Sequence, residues 1–384
     1  MNRDLIIVAI SLATWGIGEG LFFFFQPLYL EELGANPVQI GDILSIVSIA
    51  MAVAHLPAGF LADRLGRRPM MITAWLVGTV STCIMALATN LPQFVVGSAA
   101  YGLTSFVVGP MYSYVTAARG RWSVSRALTT ISATYNVGAV LGPLVGGWLS
   151  SQAGLRTNFF IAAGFFVLSS IIILFVRPQP VEKRPVPDNT SRNGFNINTR
   201  YVGFLVLIAF VTFSLTLPQP LSQNFMQNVQ NLDRSQIGFL ISARSMGIIL
   251  LNLVLGRLFP RHGFLFAQAS MALCTILLWQ GNGMPAFFLG YLLMGSYQTA
   301  RLMAQAQGRQ FVDSSRMGLG YGIVESVIAV AAILAPFLAG RLYNIEPVWI
   351  YSFSLVLILL GLVLAAFFLP RSPSEISQGE PEPI

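Results

Sequence analysis

The sequence predicts an all-α membrane protein with twelve transmembrane helices in two pseudo-symmetric six-helix bundles. Three observations carry that prediction. The 384 residues are 55% hydrophobic and only 10% charged, whereas soluble domains carry about 25% charged residues. The apolar residues fall into long runs, and about 20 such residues cross the hydrocarbon core as a helix. The second half of the chain repeats features of the first at a nearly constant offset, the mark of an internal duplication.

Twelve spans are expected at roughly 5–28, 38–60, 70–89, 92–115, 126–150, 156–176, 201–224, 236–259, 264–281, 285–308, 317–341 and 347–369. Each should be helical, because only a helix or a closed barrel satisfies its backbone hydrogen bonds inside lipid. The first run follows Met1, Asn2, Arg3 and Asp4 without a small-residue cleavage site, so it reads as a span rather than a removed signal. Residues 1–176 make the first bundle and 200–370 the second. Between them, 177–199 holds Pro178, Pro180, Pro185 and Pro187 among mixed charges and reads as a flexible cytoplasmic linker. The Pro/Ser/Glu-rich end, 371–384, reads as a disordered tail.

Charge sets the orientation. With the N-terminus inside, the cytoplasmic segments hold seventeen of the 22 Lys and Arg residues, and the opposite side holds only Arg156, Arg234 and Arg341. This bias places both termini in the cytoplasm. The net charge of +7 is therefore distributed over short loops and is no nucleic-acid footprint. Cys83 and Cys274 lie inside apolar runs, and His55 and His262 are far apart. No disulfide framework, metal site or cofactor is expected.

The loop after span 2 is the densest charge cluster in the chain. It carries Gly59, Asp63, Arg64, Gly66, Arg67 and Arg68 between two apolar runs. A positive anchor explains the arginines but not the two glycines and the acid. The pattern resembles motif A of the major facilitator superfamily of secondary transporters, with every fixed position filled. Gly256, Arg257, Pro260, Arg261 and Gly263 repeat its frame after span 8, with Pro260 where the first half has Asp63. The offset is 197 from Gly59 to Gly256, and 193 from Pro143 in span 5 to Pro336 in span 11. Span 5 adds Gly138, Gly142, Pro143, Gly146 and Gly147. Glycines one turn apart form a groove that another helix can enter closely, and Pro143 permits a bend. This series is similar to motif C, associated with drug/proton antiporters of the superfamily.

The resemblance implies two six-helix halves that rock around a site near the midplane, in the plasma (bacterial inner) membrane, as a monomer. It also implies a small-molecule substrate, protons as coupling ion, and lipids around the arginines. Motif A implies a conformational gate. Asp63 would hold the start of span 11, near Met317, and Arg126 would join that network.

Ionisable residues inside a membrane are costly and are functional candidates by default. Glu19 in span 1 is a candidate proton or cationic-substrate site, with Gln26 seven residues on and on the same face. Arg301 in span 10 and Glu325 in span 11 lie at matching depth, as a buried pair requires. Arg244 in span 8 has no partner evident in the sequence; a contact with Glu19 across the halves and an anionic substrate group are its two candidate partners. Helices 1, 4 and 10 line the cavity in the resembling family, which adds Tyr112, Tyr114, Gln298 and Gln305. Asn136 reads as an interhelical hydrogen bond, and one or two rings of Phe22, Phe23, Phe24 and Phe25 as cavity-lining.

No nucleophile elbow, metal motif or Walker-type phosphate loop is present, so neither a membrane enzyme nor an ATP-driven pump is expected. The expected activity is proton-coupled export of amphipathic or drug-like compounds by alternating access. Uptake or exchange of a small polar metabolite (a sugar or organic anion) and lipid or lysolipid translocation are the alternatives on the same fold.

Overall fold

A computed structural model describes residues 2–178, 199–308, 311 and 317–369, apart from the side chains of 56–63, 125 and 317–321. Among them every regular element is helical. Span 1 runs from Arg3–Phe22 through the turn Phe23–Phe25 into Gln26–Glu32, span 2 is Pro37–Leu65, and span 3 is Arg67–Leu87. Span 4 joins Leu91–Gly102, Leu103–Val107 and Val108–Ala118; span 5 is Val124–Ala153 and span 6 Leu155–Ile173. Span 7 is Thr199–Thr216 followed by Ser222–Asn228, span 8 Arg234–Leu255, and span 9 Pro260–Gln280. Span 10 is Gly283–Met294 with Ser296–Gly308, span 11 Met317–Ile345, and span 12 Trp349–Phe368. Eleven of these helices are long and apolar enough to cross a membrane. The tenth is divided at Gly295, and its second piece carries Gln298, Arg301, Gln305 and Gln307.

Four spans are interrupted, and they occupy matching places in the two halves: 1 and 4, then 7 and 10. The causes are local. Pro27 lacks the N–H that would bond the Phe23 carbonyl, so the chain tightens to a 3₁₀ turn at Phe23–Phe25. Pro110 does the same to the carbonyl of Phe106, within the 3₁₀ segment Leu103–Val107. Pro218 and Pro220 stop the first helix of span 7 at Thr216. In span 10 the break follows a close backbone approach: a Cβ on Gly295 would lie 2.3 Å from the Ile248 nitrogen of span 8.

The halves meet through two helix pairs, 5 with 8 and 2 with 11, and the two contacts repeat each other atom by atom. A Cβ on Gly238 would sit 2.3 Å from the Pro143 carbonyl oxygen and 2.8 Å from Gly147 Cα. A Cβ on Gly41 would sit 2.4 Å from the Pro336 carbonyl oxygen and 3.0 Å from Gly340 Cα. Ser242 donates to the Val140 carbonyl at 2.7 Å, and Ser45 to the Ile333 carbonyl at 2.8 Å. Every residue here pairs with its equivalent at an offset of 193 (spans 5 and 11) or 197 (spans 2 and 8), the offsets read from the sequence.

These contacts lie between the midplane and the face remote from Arg3 and Phe368, here the distal face. Polar links close that face further. Glu32 pairs with Arg234, Asp42 with Arg341 at 2.8 Å, and Glu31 accepts from Asn224 at 2.5 Å and Asn228 at 2.8 Å. Each joins one half to the other.

Gly238→Ala should therefore disfavour distal closure, since overpacking costs about 1–3 kcal/mol, enough to shift a balanced pair of states about ten-fold or more. Spin labels on the distal ends of spans 5 and 8 should report a longer distance population in the variant. An unchanged distance distribution would show that this contact does not control closure.

Candidate functional site

The glycine face of span 5 holds span 1 as well as span 8. Cβ atoms on Gly138 and Gly142 would fall 2.5 Å from the Ile17 nitrogen and 2.6 Å from Gly20 Cα, and one on Gly16 would fall 2.5 Å from the Tyr135 carbonyl oxygen. Glu19 lies on span 1 between Gly16 and Gly20. Its Oε2 accepts from the Trp15 indole at 3.2 Å and from the Tyr135 hydroxyl of span 5 at 3.1 Å. The Tyr101 hydroxyl of span 4 also faces it. All these donors are neutral, and among the described residues no cation pairs with this carboxyl. Trp15 is itself fixed by Trp75 and Phe166, at centroid distances of 5.0 and 4.3 Å. The result is an acid set in an aromatic wall on the N-terminal half.

Arg244 occupies the C-terminal half. It donates to Gln219 Oε1 at 2.8 Å and stacks over the Phe24 ring at 4.7 Å. It does not reach Glu19 in this conformation. A second charged group lies in the C-terminal half, where Arg301 bonds Glu325 at 2.5 and 3.4 Å and Gln305 donates to the same carboxylate. Both charged side chains are about one-third exposed. His55 of span 2 lies within electrostatic reach of this pair from the opposite half.

The remaining candidates separate by environment. Gln26 is buried, with its Nε2 unbonded to protein, at the start of the second piece of span 1. Tyr112 is exposed and within electrostatic reach of Tyr135, and Gln298 is half-buried just after the span 10 break. Tyr114 is not a cavity residue: it is fully buried, and its hydroxyl donates to the Arg177 carbonyl at 2.7 Å. Asn136 is not an interhelical link, because it bonds the Ser132 carbonyl one turn back in its own helix, at 2.9 Å.

In motif A, Gly66 has φ +88° at the turn between spans 2 and 3, a conformation that favours glycine. Arg68 donates to the carbonyls of Val176 and Leu174 at 2.7 and 3.2 Å, past the end of span 6. Arg261, 193 residues on, does the same at span 12 through the Ala366 carbonyl at 2.6 Å. Arg64 and Arg67 border the same turn, and Arg126 stacks over Trp122 at 4.5 Å. The side chains of Gly59, Asp63 and Met317, and with them the clasp, lie outside the described residues, as do the linker from 179 to 198 and the tail from 371. In motif C, Gly138, Gly142, Gly146 and the Pro143 ring face span 1, whereas the Pro143 carbonyl and Gly147 face span 8.

Four contributors escaped sequence reasoning: Trp15, Tyr135, Tyr101 and Gln219. A signal existed for the last. Gln219, Pro220 and Leu221 repeat Gln26, Pro27 and Leu28 at the 193-residue offset, and both sets sit at helix breaks. The tyrosines left no signal, because their aim at Glu19 depends on how spans 1, 4 and 5 are rotated.

The chain matches the family model described as Major Facilitator Superfamily over residues 6–216 and 201–383. It is similar to Multidrug resistance protein MdtG of Citrobacter koseri, 34% identical over 219 residues, covering 55% of this chain and 53% of that protein. The protein of the same name from Escherichia coli O1:K1 is 34% identical over 191 residues, covering 48% and 47%. The matched region thus spans about half the length of these curated relatives. Among solved structures, the nucleoside transporter NupG superposes with a TM-score of 0.80 at 14% identity, covering 96% of this chain and 98% of that one. The human organic anion transporter MFSD10 gives 0.64 at 16% identity, covering 94% and 99%. At these identities the likeness to solved structures speaks for the fold.

The Arg301–Glu325 pair makes a prediction. Removal of either partner strands a charge, so Arg301→Ala and Glu325→Ala should each lower stability, and the double variant should lose less than the two together, by a coupling of about 0.5–3 kcal/mol. Unfolding in detergent measures this, and strictly additive losses would exclude the coupling.

Proposed function

This chain is a member of the major facilitator superfamily of secondary transporters, and from that premise we propose that it exports amphipathic, drug-like compounds in exchange for protons. One observation carries the reading: Glu19 sits within a membrane span, held among the described residues by neutral donors, Trp15 and Tyr135 with Tyr101 beside them. A carboxyl without a fixed cation is free to take either a proton or the basic group of a substrate. Those two occupants exclude each other, and that exclusion is what exchange requires. The partly exposed rings of Phe23 and Phe24, about one turn further along span 1, suit an apolar body. Relatives named for multidrug resistance support the same class.

The Lys/Arg bias puts the face of the termini in the cytoplasm, so the glycine-packed distal face is the extracellular one. The conformation described above is then closed to the outside, with the substrate loaded from within. Opening outward requires spans 5 and 8, and 2 and 11, to part. Span 5 also carries Tyr135. A proton arriving on Glu19 turns that oxygen from a pure acceptor into a possible donor, which changes the bonding between spans 1 and 5 beside the gate. Asp63 is the inner latch: against the start of span 11 it would contribute ~0.3–2 kcal/mol, which suffices to bias two nearly balanced states.

In proteoliposomes, Glu19→Gln should abolish substrate movement driven by a pH gradient while retaining, at raised substrate concentration, exchange of labelled for unlabelled substrate. Gradient-driven transport that survives in the variant would remove the proton role. Asp63→Asn should lower the outward-open fraction several-fold in the same spin-label measurement; an unchanged population would dispose of the latch.

A further inference from the structure

Arg244 stands where the interruptions of three spans converge. Its guanidinium bonds Gln219 in the break of span 7 and covers Phe24 in the break of span 1. Its carbonyl oxygen is 3.0 Å from where a Cβ on Gly295, the break of span 10, would lie. Its electrostatic neighbours are Tyr291 and Tyr297, which flank that break, and Cys274. No carboxylate is among them. The Nε is buried and makes no hydrogen bond to the protein, yet the residue as a whole is only half-buried. Interrupted helices in corresponding positions of two halves mark the substrate site in such transporters, and a guanidinium there presents a planar fork matched to carboxylate geometry.

The internal repeat shows that this arginine is no requirement of the scaffold. Gly102 of span 4 packs against the Val47 carbonyl of span 2 as Gly295 packs against the Arg244 carbonyl. Val47 and Arg244 are 197 apart, the offset of spans 2 and 8. Gln26 and Gln219 are likewise equivalent at 193. The same architecture is thus built in the first half with a buried valine. Glu19 is the converse case, since its equivalent at 193 is Thr212 and that of Tyr135 is Ile328. Apart from the mutually paired Arg301 and Glu325, whose equivalents at 193 are Val108 and Ser132, the first half departs from the repeat by an acid, Glu19, and the second by a base, Arg244.

We propose that Arg244 binds an acidic group of the transported compound, so that the preferred substrates are amphipathic zwitterions bridging the two halves. The acidic end rests on Arg244, and the basic end rests on the reading of Glu19 given above. A bridging substrate touches both halves at once and so reports its presence to the rocking movement that carries it.

The probe is Nε-dansyl-lysine, compared with its α-carboxamide at a pH where the amine of both is protonated. The two share the amine and the fluorescent apolar body and differ only in the carboxylate. Fluorescence titration of the full-length protein should show the acid binding about ten-fold or more tightly than the amide, as a charge-assisted hydrogen bond implies. Arg244→Gln should erase the difference, and Arg244→Lys should retain part of it. Gln219→Glu, which keeps the arginine but gives it an internal carboxylate, should erase it as well. Equal or weaker binding of the acid by the wild type, no saturable binding of the acid, or a preference that persists in a folded Arg244→Gln or Gln219→Glu protein would overturn the proposal. Glu19→Gln separates the two readings: it should weaken both probes alike and leave the acid preference intact. If Glu19→Gln leaves both affinities unchanged while the preference for the acid holds, the reading of Glu19 fails and that of Arg244 stands.

Discussion

Backbone-to-backbone contact between glycines is the constraint on which the rest of this structure depends. Lipid offers no hydrophobic drive for helices to associate, so packing at close range must hold them. Span 5 meets that need on two sides at once. Gly138 and Gly142 seat span 1, and Gly147 with the Pro143 carbonyl seats Gly238 of span 8. The helix that carries Glu19 and the helix that closes the distal face are therefore packed on the same rod. Movement at one interface is felt at the other because no compressible side chain lies between them. The equivalent contact of Gly41 with Gly340 makes the closure two-sided and symmetric.

Against this apolar, symmetric frame the charges stand out as exceptions, and each is handled differently. Arg301 and Glu325 neutralise each other within one half, with Gln305 taking a further lone pair. Arg244 has an amide and an aromatic ring as partners, and Glu19 two neutral donors. Neutral partners orient a charged group without cancelling its field. The last two groups thus keep an unspent electrostatic demand in a medium of low dielectric, and the proposed substrate contacts rest on that.

Much of the architecture was legible in the residues themselves. Runs of about twenty apolar residues dictate spanning helices. Both repeat offsets survive as contacts between equivalent atoms, because duplicated helices pack as their ancestor did. Interruptions were less legible: span 10 reads as one apolar run, but Gly295 divides it where span 8 presses on its backbone. Tyr114 and Asn136 show the limit of assigning roles by span number alone. Tyr114 sits on a cavity-type helix yet is buried on Arg177, and Asn136, expected to link helices, bonds its own turn.

By itself, the sequence determined the membrane environment, the helical class, the duplication, the glycine surfaces and which ionisable residues enter the bilayer. These follow from composition and spacing, which act locally along the chain. Only the tertiary structure decided what those residues face. Glu19 meets Tyr135 across an interval of 116 positions, and Arg244 meets Phe24 from the other half of the chain. The rotation of each helix about its axis is set by where its glycines find a partner backbone, and that is a property of pairs of helices that no single stretch of sequence contains.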